Sequence, residues 1–276
     1  MFKFYKIYIF ILLITQGALM SAILKEIQNN NTNIPVIFEK YSAIPIFNLQ
    51  LVFENSGYMN DKTNIGITNI TAKILNEGTK KDGAINYARD LENNAISIYT
   101  STSFETFVIE ISCLKTEYKL ALTYLNKLLK DPNITKNTLD KIKLLQISKL
   151  KQKENDFDYI ASKNLSKLQY KGTALEYTSS GDIQHINNLQ IKDVKESLFN
   201  TLNLDNLIIV VGGDLEFNEF KTDIKDTLKI LKPLGKTKFN KINISKKTTT
   251  KIIHKDTKQS YIYFSSPFNI NFNSKD

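Results

Sequence analysis

Two segments of the chain alternate apolar with polar side chains, and this pattern restricts the fold to one built on a sheet. The segments are IFNLQLVFENS, residues 46–56, and ETFVIEISCL, residues 105–114. Successive side chains of a strand point to opposite faces, so each segment has one face for a core. The core-facing sets are Phe47, Leu49, Leu51 and Phe53 in the first segment and Phe107, Ile109, Ile111 and Cys113 in the second.

The remaining patterns add further strands and several helices. PVIFEKYS and ISIYTSTS are predicted strands, and NLIIVV, residues 206–211, is a continuous apolar run typical of a central strand. Helical spacing predicts helices over residues 64–78, 84–95, 116–132, 135–170, 190–202 and 217–228. In the long segment 135–170, we expect Leu139, Ile142 and Leu145 to mark the buried face. This order predicts an α+β domain with helices packed on a largely antiparallel sheet.

The N-terminal segment MFKFYKIYIFILLITQGALMSA has the layout of a secretory signal peptide. Lys3 and Lys6 precede an apolar run that is too short to span a bilayer comfortably, and small residues follow up to Ala22. We therefore predict a signal peptide at residues 1–22 and an exported, periplasmic mature protein, which meets the membrane only through this segment. An uncleaved membrane anchor stays open as the alternative.

Composition changes mark the other domain boundaries. We predict an α+β domain at residues 33–235, and a lysine-rich linker at residues 236–253 that interrupts the helical periodicity. SYIYFSSPF then starts a new strand, predicted over residues 258–269. A lone strand cannot bury its apolar side chains, so residues 254–276 are predicted to be the start of a truncated second α+β domain.

Charge and residue usage narrow the function. The net charge is +9, yet Arg89 is the only arginine among 37 basic residues. Nucleic-acid binders rely on the planar guanidinium group to contact bases and phosphates, so we expect no nucleic-acid partner. Cys113 is the only cysteine and lies on an apolar strand face, so we interpret it as a small buried side chain.

Two motifs follow one another in order along the chain, Gly66-x-x-Asn69-x-x-Ala72-Lys73-x-x-x-x-Gly78-Thr79 and Val210-Val211-Gly212-Gly213-Asp214. Together with the order of the predicted strands and helices, they resemble the insulinase/pitrilysin zinc peptidases, a family that includes the mitochondrial processing peptidase. The resemblance covers about residues 33–235.

The resemblance implies that a catalytic helix has lost its metal ligands. Active members carry His-x-x-Glu-His on the helix that ends in Gly-Thr, where two imidazoles bind zinc and the glutamate acts as general base. Alignment on Gly78-Thr79 places Asn69 and Lys73 at the histidine positions and Ala72 at the glutamate position. The third ligand, a glutamate, is expected near Ser148, but residues 146–153 contain no carboxylate.

The two histidines of the chain, His185 and His254, are too far apart in sequence to form an i, i+4 pair. We expect His185 to be a surface or helix-capping residue and His254 to lie in the linker. No metal ligand and no catalytic residue is therefore predicted in this chain. The simplest alternative for Asn69 and Lys73 is that both are merely exposed to solvent.

The resemblance then implies a non-catalytic subunit that partners an active zinc peptidase of the same family and helps to enclose or bind peptide substrates. We expect no cofactor here, with zinc only in the partner, and no catalysis by this chain alone. An extended peptide could join the edge of the sheet as an added strand. Two alternatives stay open: a solitary structural or peptide-binding module of the envelope, and a zinc peptidase that takes ligands from another chain.

Overall fold

A computed structural model describes residues 22–29, 31–61, 63–238 and 247–266. In this part of the chain, one sheet has the strand order β1-β2-β6-β3-β5-β4. All neighbouring strands are antiparallel except β2 and β6, which confirms the predicted α+β fold with a largely antiparallel sheet. The strands are β1 (Ile23–Asn29), β2 (Thr32–Lys40), β3 (Ile46–Phe53), β4 (Ser97–Thr102), β5 (Phe107–Leu114) and β6 (Leu207–Gly213).

Along the chain, the helices occur between and after the strands in the order that the sequence predicts. Short 3-10 turns occur at Tyr58–Asn60, Lys115–Glu117, Ala174–Glu176 and Leu204–Asn206. The α-helices are α1 (Ile67–Leu75), α2 (Gly83–Asn93), α3 (Tyr118–Lys130), α4 (Lys136–Lys153), α5 (Phe157–Gln169), α6 (Ile183–Asn188), α7 (Ile191–Thr201), α8 (Phe217–Asp223) and α9 (Lys225–Leu228).

The two alternating segments, which become β3 and β5, are neighbours in the sheet and pair in full register. Phe47 lies opposite Cys113, and Phe53 lies opposite Phe107, with the intervening apolar positions also paired. All eight core-facing side chains are buried. Burial of a Phe, Leu or Ile side chain contributes about 1.5–3 kcal/mol. A slip of one residue would move the whole set to the solvent face, so hydrophobic burial fixes the register.

Helix α1 lies between two apolar clusters. Ala72 and Leu75 pack into the cluster on the sheet, whereas Ile67, Ile70 and Ile74 pack into a second cluster. The second cluster also contains residues of α4, α6 and α7, namely Leu139, Ile142, Leu150, Ile186 and Val194. Because α1 is covered on both sides, its β-branched residues are stabilised by tertiary packing rather than by helix propensity.

Three details differ from the sequence predictions. Strand β1 was not predicted, because only Ile27 of its seven residues is buried and an alternating pattern is missing. The predicted helix over 135–170 is interrupted, and the Asp156 side chain caps the start of α5 by accepting a hydrogen bond from the Tyr159 N–H. Leu145 is 49% exposed, so its predicted burial is wrong; the buried face of α4 instead continues to Gln146 and Leu150.

The segment 247–266 contains no helix or strand in its described residues. Tyr261 packs on the Phe157 ring with centroids 6.0 Å apart, and the Tyr263 hydroxyl donates to an Asp158 carboxylate oxygen at 2.6 Å. Ile262 and Phe264 are exposed. The strand predicted at 258–269 is therefore not formed over residues 258–266, where the described part of the chain offers it no partner strand.

Several predictions fall on residues outside the described ranges. These are the signal peptide up to residue 21, residues 239–246 of the linker and the last ten residues of the predicted second domain, 267–276. Within the described ranges, no helix is both long and apolar enough to cross a membrane.

Candidate functional site

The candidate site is the polar side of α1, the helix placed between the two clusters. Seven of its nine residues are buried, and Asn69 and Lys73 are the two that are not. Neither side chain is fully exposed; both are of intermediate exposure. The alternative that these residues are merely solvent-exposed therefore does not describe the structure. Ala72 is 3% exposed and packs in the sheet cluster.

Lys73 is connected through one glutamine to a second helix and to a loop. Its Nζ donates a hydrogen bond to Oε1 of Gln146 on α4. Gln146 is 2% exposed, and its Nε2 donates to the Ser180 carbonyl at 2.8 Å. Gln146 is the first residue of the window 146–153, the region near Ser148 where the resemblance places the third metal ligand. The structure therefore brings together the second histidine position and a residue of that window.

The surroundings of Lys73 are electropositive. Burial is the main cause that lowers the pKa of Lys73, and the charges of Lys149 and Lys153 lower it further. One helical turn before Lys73, the Oδ1 atom of Asn69 is buried and has no hydrogen-bond partner in the described part of the chain. A buried acceptor without a partner costs about 1–3 kcal/mol, and such atoms are rare in folded proteins. The Oδ1 atom of Asn69 is one of these exceptions.

This donor set does not fit zinc. Zinc binds thiolates, neutral imidazoles and carboxylates, whereas the structure offers two amides and an ammonium group. The charge of Lys73 repels a dication, and Ala72 has no group that could accept a proton from water. Among the described residues, no three His, Cys, Asp or Glu side chains lie close enough together to hold a metal ion.

The hydrogen bonds found among the described residues join neither histidine to Asn69, Lys73 or Gln146. The His185 Nδ1 atom is 2.8 Å from Oδ2 of Asp182, the residue that caps the start of α6, and the His185 ring contacts Tyr177. His254, expected in the linker, is exposed at the C-terminal end of this region. His185 thus takes part in the start of a helix, but the cap itself is the Asp182 carboxylate.

The other motif residues shape the backbone around the site. Gly66 precedes α1 and has a left-handed backbone with φ +92°. Gly78 has φ +72°, and a Cβ atom there would lie 2.7 Å from the Tyr87 Cβ, so the predicted left-handed stop after α1 is present. The Thr79 hydroxyl donates to Oδ2 of Asp82 at 2.9 Å.

Gly212 and Gly213 end the central strand β6, directly beside β3. Asp214 follows, and its Oδ2 lies 2.7 Å from the Lys115 Nζ. Hydrogen bonding to this lysine is the main cause that lowers the pKa of Asp214. These residues fix the strand ends rather than contact the polar side of α1.

Sequence reasoning missed Asn76, the residue that ends α1. Its side-chain amide pairs with the backbone of one residue of the edge strand β4. The Nδ2 atom donates to the Thr100 carbonyl at 2.9 Å, and the Oδ1 atom accepts from the Thr100 N–H at 2.8 Å. Along an antiparallel edge strand, alternate residues direct their backbone groups away from the sheet. Asn76 therefore occupies one outward-facing position of β4 as an added strand would.

A separate cavity of about 620 Å³ lies at the start of α1 and has mostly polar walls. Its buried carboxylate is Asp61, which accepts hydrogen bonds from the Gly66 N–H at 2.9 Å and from the Thr68 N–H at 3.4 Å. Asp193 and Glu196 of α7 also line it. The cavity does not include Asn69 or Lys73, and its buried carboxylate serves to cap α1.

Lys73→Met should destabilise the protein by about 1–3 kcal/mol, because the buried Gln146 oxygen loses its donor. Methionine keeps the apolar stem, so packing changes little. The measurement is urea unfolding followed by circular dichroism. Lys149→Met is the matched control, because Lys149 is exposed on α4, and it should change stability by no more than about 0.5 kcal/mol. Equal stability of the two variants would show that the Lys73–Gln146 contact contributes nothing.

Asp61 should make stability depend on pH near neutrality. Burial raises the pKa of Asp61 from 3.8 to about 7. A carboxyl group with a higher pKa in the folded state contributes stability that is full below the unfolded value and is lost as pH rises through 7. Relative to Asp61→Asn, the wild type should lose about 2–3 kcal/mol of unfolding free energy between pH 5 and pH 8. A difference that is constant with pH would contradict a proton on Asp61.

Comparison with known proteins identifies the family to which this chain is similar and a related protein. Residues 36–182 match the family model described as Insulinase (Peptidase family M16). The non-peptidase homolog YmxG of Helicobacter pylori is 35% identical over 242 residues, which are 87% of this chain and 56% of that protein. The chain thus spans a little over half the length of this relative.

Two solved structures share the fold. The peptidase M16 inactive domain from Pseudomonas fluorescens has a TM-score of 0.72 at 19% identity, over 78% of this chain and 53% of that chain. The periplasmic protease PqqL from Escherichia coli has a TM-score of 0.66 at 15% identity, over 82% of this chain and 26% of that chain. At these identities the likeness establishes the fold alone.

Proposed function

Because the chain belongs to the insulinase family, peptidase family M16, we propose that it is a non-catalytic member that partners an active zinc peptidase of the same family. The observation that carries this proposal is the hydrogen bond from Lys73 to Gln146. It occupies the place where the resemblance puts a metal ligand, and it puts an ammonium group where a dication would bind. The positions of Asn69, Ala72 and Lys73 are then remnants of a metal helix.

The names of two similar proteins support the non-catalytic part of the proposal. YmxG is named a non-peptidase homolog, and the Pseudomonas fluorescens structure is named an inactive domain. The chemistry agrees, since hydrolysis of a peptide by a zinc peptidase needs a metal-bound water and a general base. In the proposed pair, zinc and base belong to the partner, and this chain helps to enclose the peptide.

The cellular place and the domain division form part of the proposal. The charged and apolar layout of residues 1–22 supports export, and PqqL, which shares the fold, is named a periplasmic protease. The division into a domain at 33–235, a linker at 236–253 and a second domain from 254 stays a prediction. Because β1 pairs with β2, we propose that the domain begins near Ile23 and not at residue 33.

A second candidate function, peptide binding by a solitary module, has one specific observation in its favour. Strand β4 is an edge of the sheet in the described part of the chain. Ile98 and Thr102 direct their backbone groups outward, in step with Thr100, so a peptide strand could pair there. The Asn76 side chain already pairs with the Thr100 backbone, so it competes with a peptide for the middle of these three positions. Asn76→Ala should therefore bind an extended peptide more tightly than the wild type, whereas Asn94→Ala, at the end of α2, should not.

The test of the proposed pairing is affinity purification of the tagged full-length protein from a crosslinker-free envelope extract, with mass spectrometry and zinc analysis of the eluate. We expect a stoichiometric partner that contains His-x-x-Glu-His, and about one zinc ion per pair. A tagged, exported protein without this fold is the control for capture by the resin. Elution of the protein alone and monodisperse would contradict the pairing and favour the solitary module.

A further inference from the structure

We propose that the polar cavity at the start of α1 binds an organic cation that carries more than one ammonium group. Its volume of about 620 Å³ is that of a small-molecule site, for which about 300–1,000 Å³ is usual. The ammonium groups can belong to a free polyamine or to lysine side chains of a peptide. Binding of this kind goes beyond the proposed function and does not depend on pairing with a zinc peptidase.

The first observation is the charge of the cavity walls. Asp61, Asp193 and Glu196 line the cavity, and no lysine or arginine is found among the described residues that line it. In the whole chain, basic residues outnumber acidic ones by 37 to 28. The cavity is therefore an acidic place in a basic protein, and its field attracts cations. One ammonium group would leave at least one carboxylate uncompensated, which favours a ligand with two or more.

The carboxylates of α7 have acceptor atoms to spare. Asp61 is used to cap α1, and the Oδ2 atom of Asp193 accepts from the Gln190 N–H at 2.8 Å. The other Asp193 oxygen and both Glu196 oxygens accept no hydrogen bond in the described part of the chain. Carboxylates only accept hydrogen bonds and ammonium groups only donate them, so these three oxygens suit an ammonium ligand.

The α7 side of the cavity is one continuous face of the helix. The lining residues of α7 follow the spacing i, i+3, i+4, i+7 and i+8, and they are Asp193, Glu196, Ser197, Asn200 and Thr201. This face is held in place, because the hydroxyl groups of Ser197 and of Thr71 on α1 are hydrogen-bonded at 3.1 Å. Elsewhere in the lining, Asn203 Nδ2 donates to the Gly235 carbonyl at 2.7 Å. The walls are therefore formed before a ligand binds.

The second, independent observation is a buried hydroxyl group without a partner. Thr201 lines the cavity and is only 6% exposed, yet its side chain makes no hydrogen bond in the described part of the chain. Buried polar side chains nearly always have a partner. Unlike the Asn69 Oδ1 atom, the Thr201 hydroxyl is not among the unpartnered atoms closed off from solvent, so a ligand in the cavity can reach it. Its oxygen can accept a hydrogen bond from an ammonium group.

The experiment is isothermal titration calorimetry of spermidine with the purified full-length protein at low salt. Octanediol, which has a similar length but no ammonium group, and magnesium chloride are titrated in parallel. We expect saturable binding of about one spermidine per chain, weakened by added salt, and no binding of octanediol. If magnesium ions bind as tightly as spermidine, or octanediol does, the cavity has no preference for ammonium groups and the proposal is wrong.

A pair of peptides distinguishes the source of the ammonium groups. One hexapeptide contains two lysines, and its counterpart has glutamine at both positions. Tighter binding of spermidine than of the lysine peptide assigns the site to a free polyamine, and the reverse order assigns it to a peptide. If neither spermidine nor the lysine peptide binds better than its uncharged counterpart, the proposal is overturned.

Substitutions then locate the site. Glu196→Gln should weaken binding of the preferred ligand about tenfold. Glu196 is exposed, so the fold should be kept. The control is Glu92→Gln, the same change at an exposed residue of α2 outside the cavity, which should leave affinity unchanged. Equal affinities of these two variants would overturn the proposal in favour of a general effect of negative charge.

Thr201→Val tests the hydroxyl separately. Valine has nearly the same shape, and the hydroxyl has no partner to lose, so stability in urea should be kept or increased. Affinity for the preferred ligand should nevertheless fall severalfold. A variant of unchanged affinity would show that Thr201 does not contact the ligand and would remove the second observation on which the site rests. The pairing with a zinc peptidase is decided by co-purification, whatever these titrations give.

Discussion

A variant with Asn69→His, Lys73→His and Gln146→Glu should bind about one zinc ion per chain, whereas the wild type should bind none. Residues 69 and 73 are separated by one helical turn, so two imidazoles there would reach the same metal. The Gln146 side chain already contacts the Lys73 side chain, so a glutamate at residue 146 would reach that metal as a third ligand. The measurement is the zinc content after dialysis, together with the thermal shift caused by added zinc.

The matched control changes a different glutamine of the same helix. Asn69→His, Lys73→His and Gln152→Glu has the same composition, but Gln152 is exposed, six residues beyond the site. It should bind zinc much more weakly because the third ligand is misplaced. Neither variant should hydrolyse peptides, since Ala72 supplies no general base. If the first variant folds and holds no more zinc than the control, the interpretation of α1 as a former metal helix is wrong.

The sheet and its core could be predicted because their signal lies in short stretches of sequence. In residues 46–53 and 107–114, apolar side chains alternate with polar ones, and this alternation shows which face of each strand is buried. Strand β1 gives no such signal, since it is held at the sheet edge by backbone pairing with β2 and buries Ile27 almost alone. Backbone hydrogen bonds form with any side chain, so a strand of this kind is invisible to hydrophobic periodicity.

The helix α1 could be predicted, but the partners of its polar residues could not. Lys73 and Gln146 are far apart in sequence and meet only because α1 and α4 pack on the same apolar cluster. The misassignment of Leu145 has the same origin. A shift of one residue rotates a side chain by about 100° around the helix, and from Leu139 the buried face returns at Gln146, not at Leu145. The few apolar residues of this segment do not decide whether residue 145 or residue 146 lies on the buried face.

The arrangement of α1 also explains how its polar positions could differ from those of a metal helix while the fold is kept. Both apolar sides of the helix are covered, and neither Asn69 nor Lys73 belongs to either cluster. The packing of α1 is carried by its apolar residues, and Lys73 adds the separate contribution of its contact with Gln146. If α1 is a former metal helix, its ligands could therefore be replaced while the fold was kept.

Gly213→Ala should destabilise the protein by about 4 kcal/mol or more, or prevent folding, because its backbone and its space both require glycine. Gly213 ends β6 with φ +136°, a conformation that residues with a Cβ rarely adopt. A Cβ atom there would lie 2.1 Å from the Ile46 carbonyl oxygen, which belongs to the neighbouring strand β3. Neither strand can retreat, since β6 and β3 are paired along their length in the centre of the sheet.

Gly83→Ala separates the two causes of this effect. Gly83 also has a positive φ, +71°, but a Cβ atom there would meet nothing within 4 Å. It should cost about 1–2 kcal/mol, the part that belongs to backbone strain. Both variants are compared by the yield of soluble protein and by urea unfolding of whatever folds. If Gly213→Ala is no less stable than Gly83→Ala, the close approach of β6 to β3 does not constrain this position, and the Gly212-Gly213 motif needs another explanation.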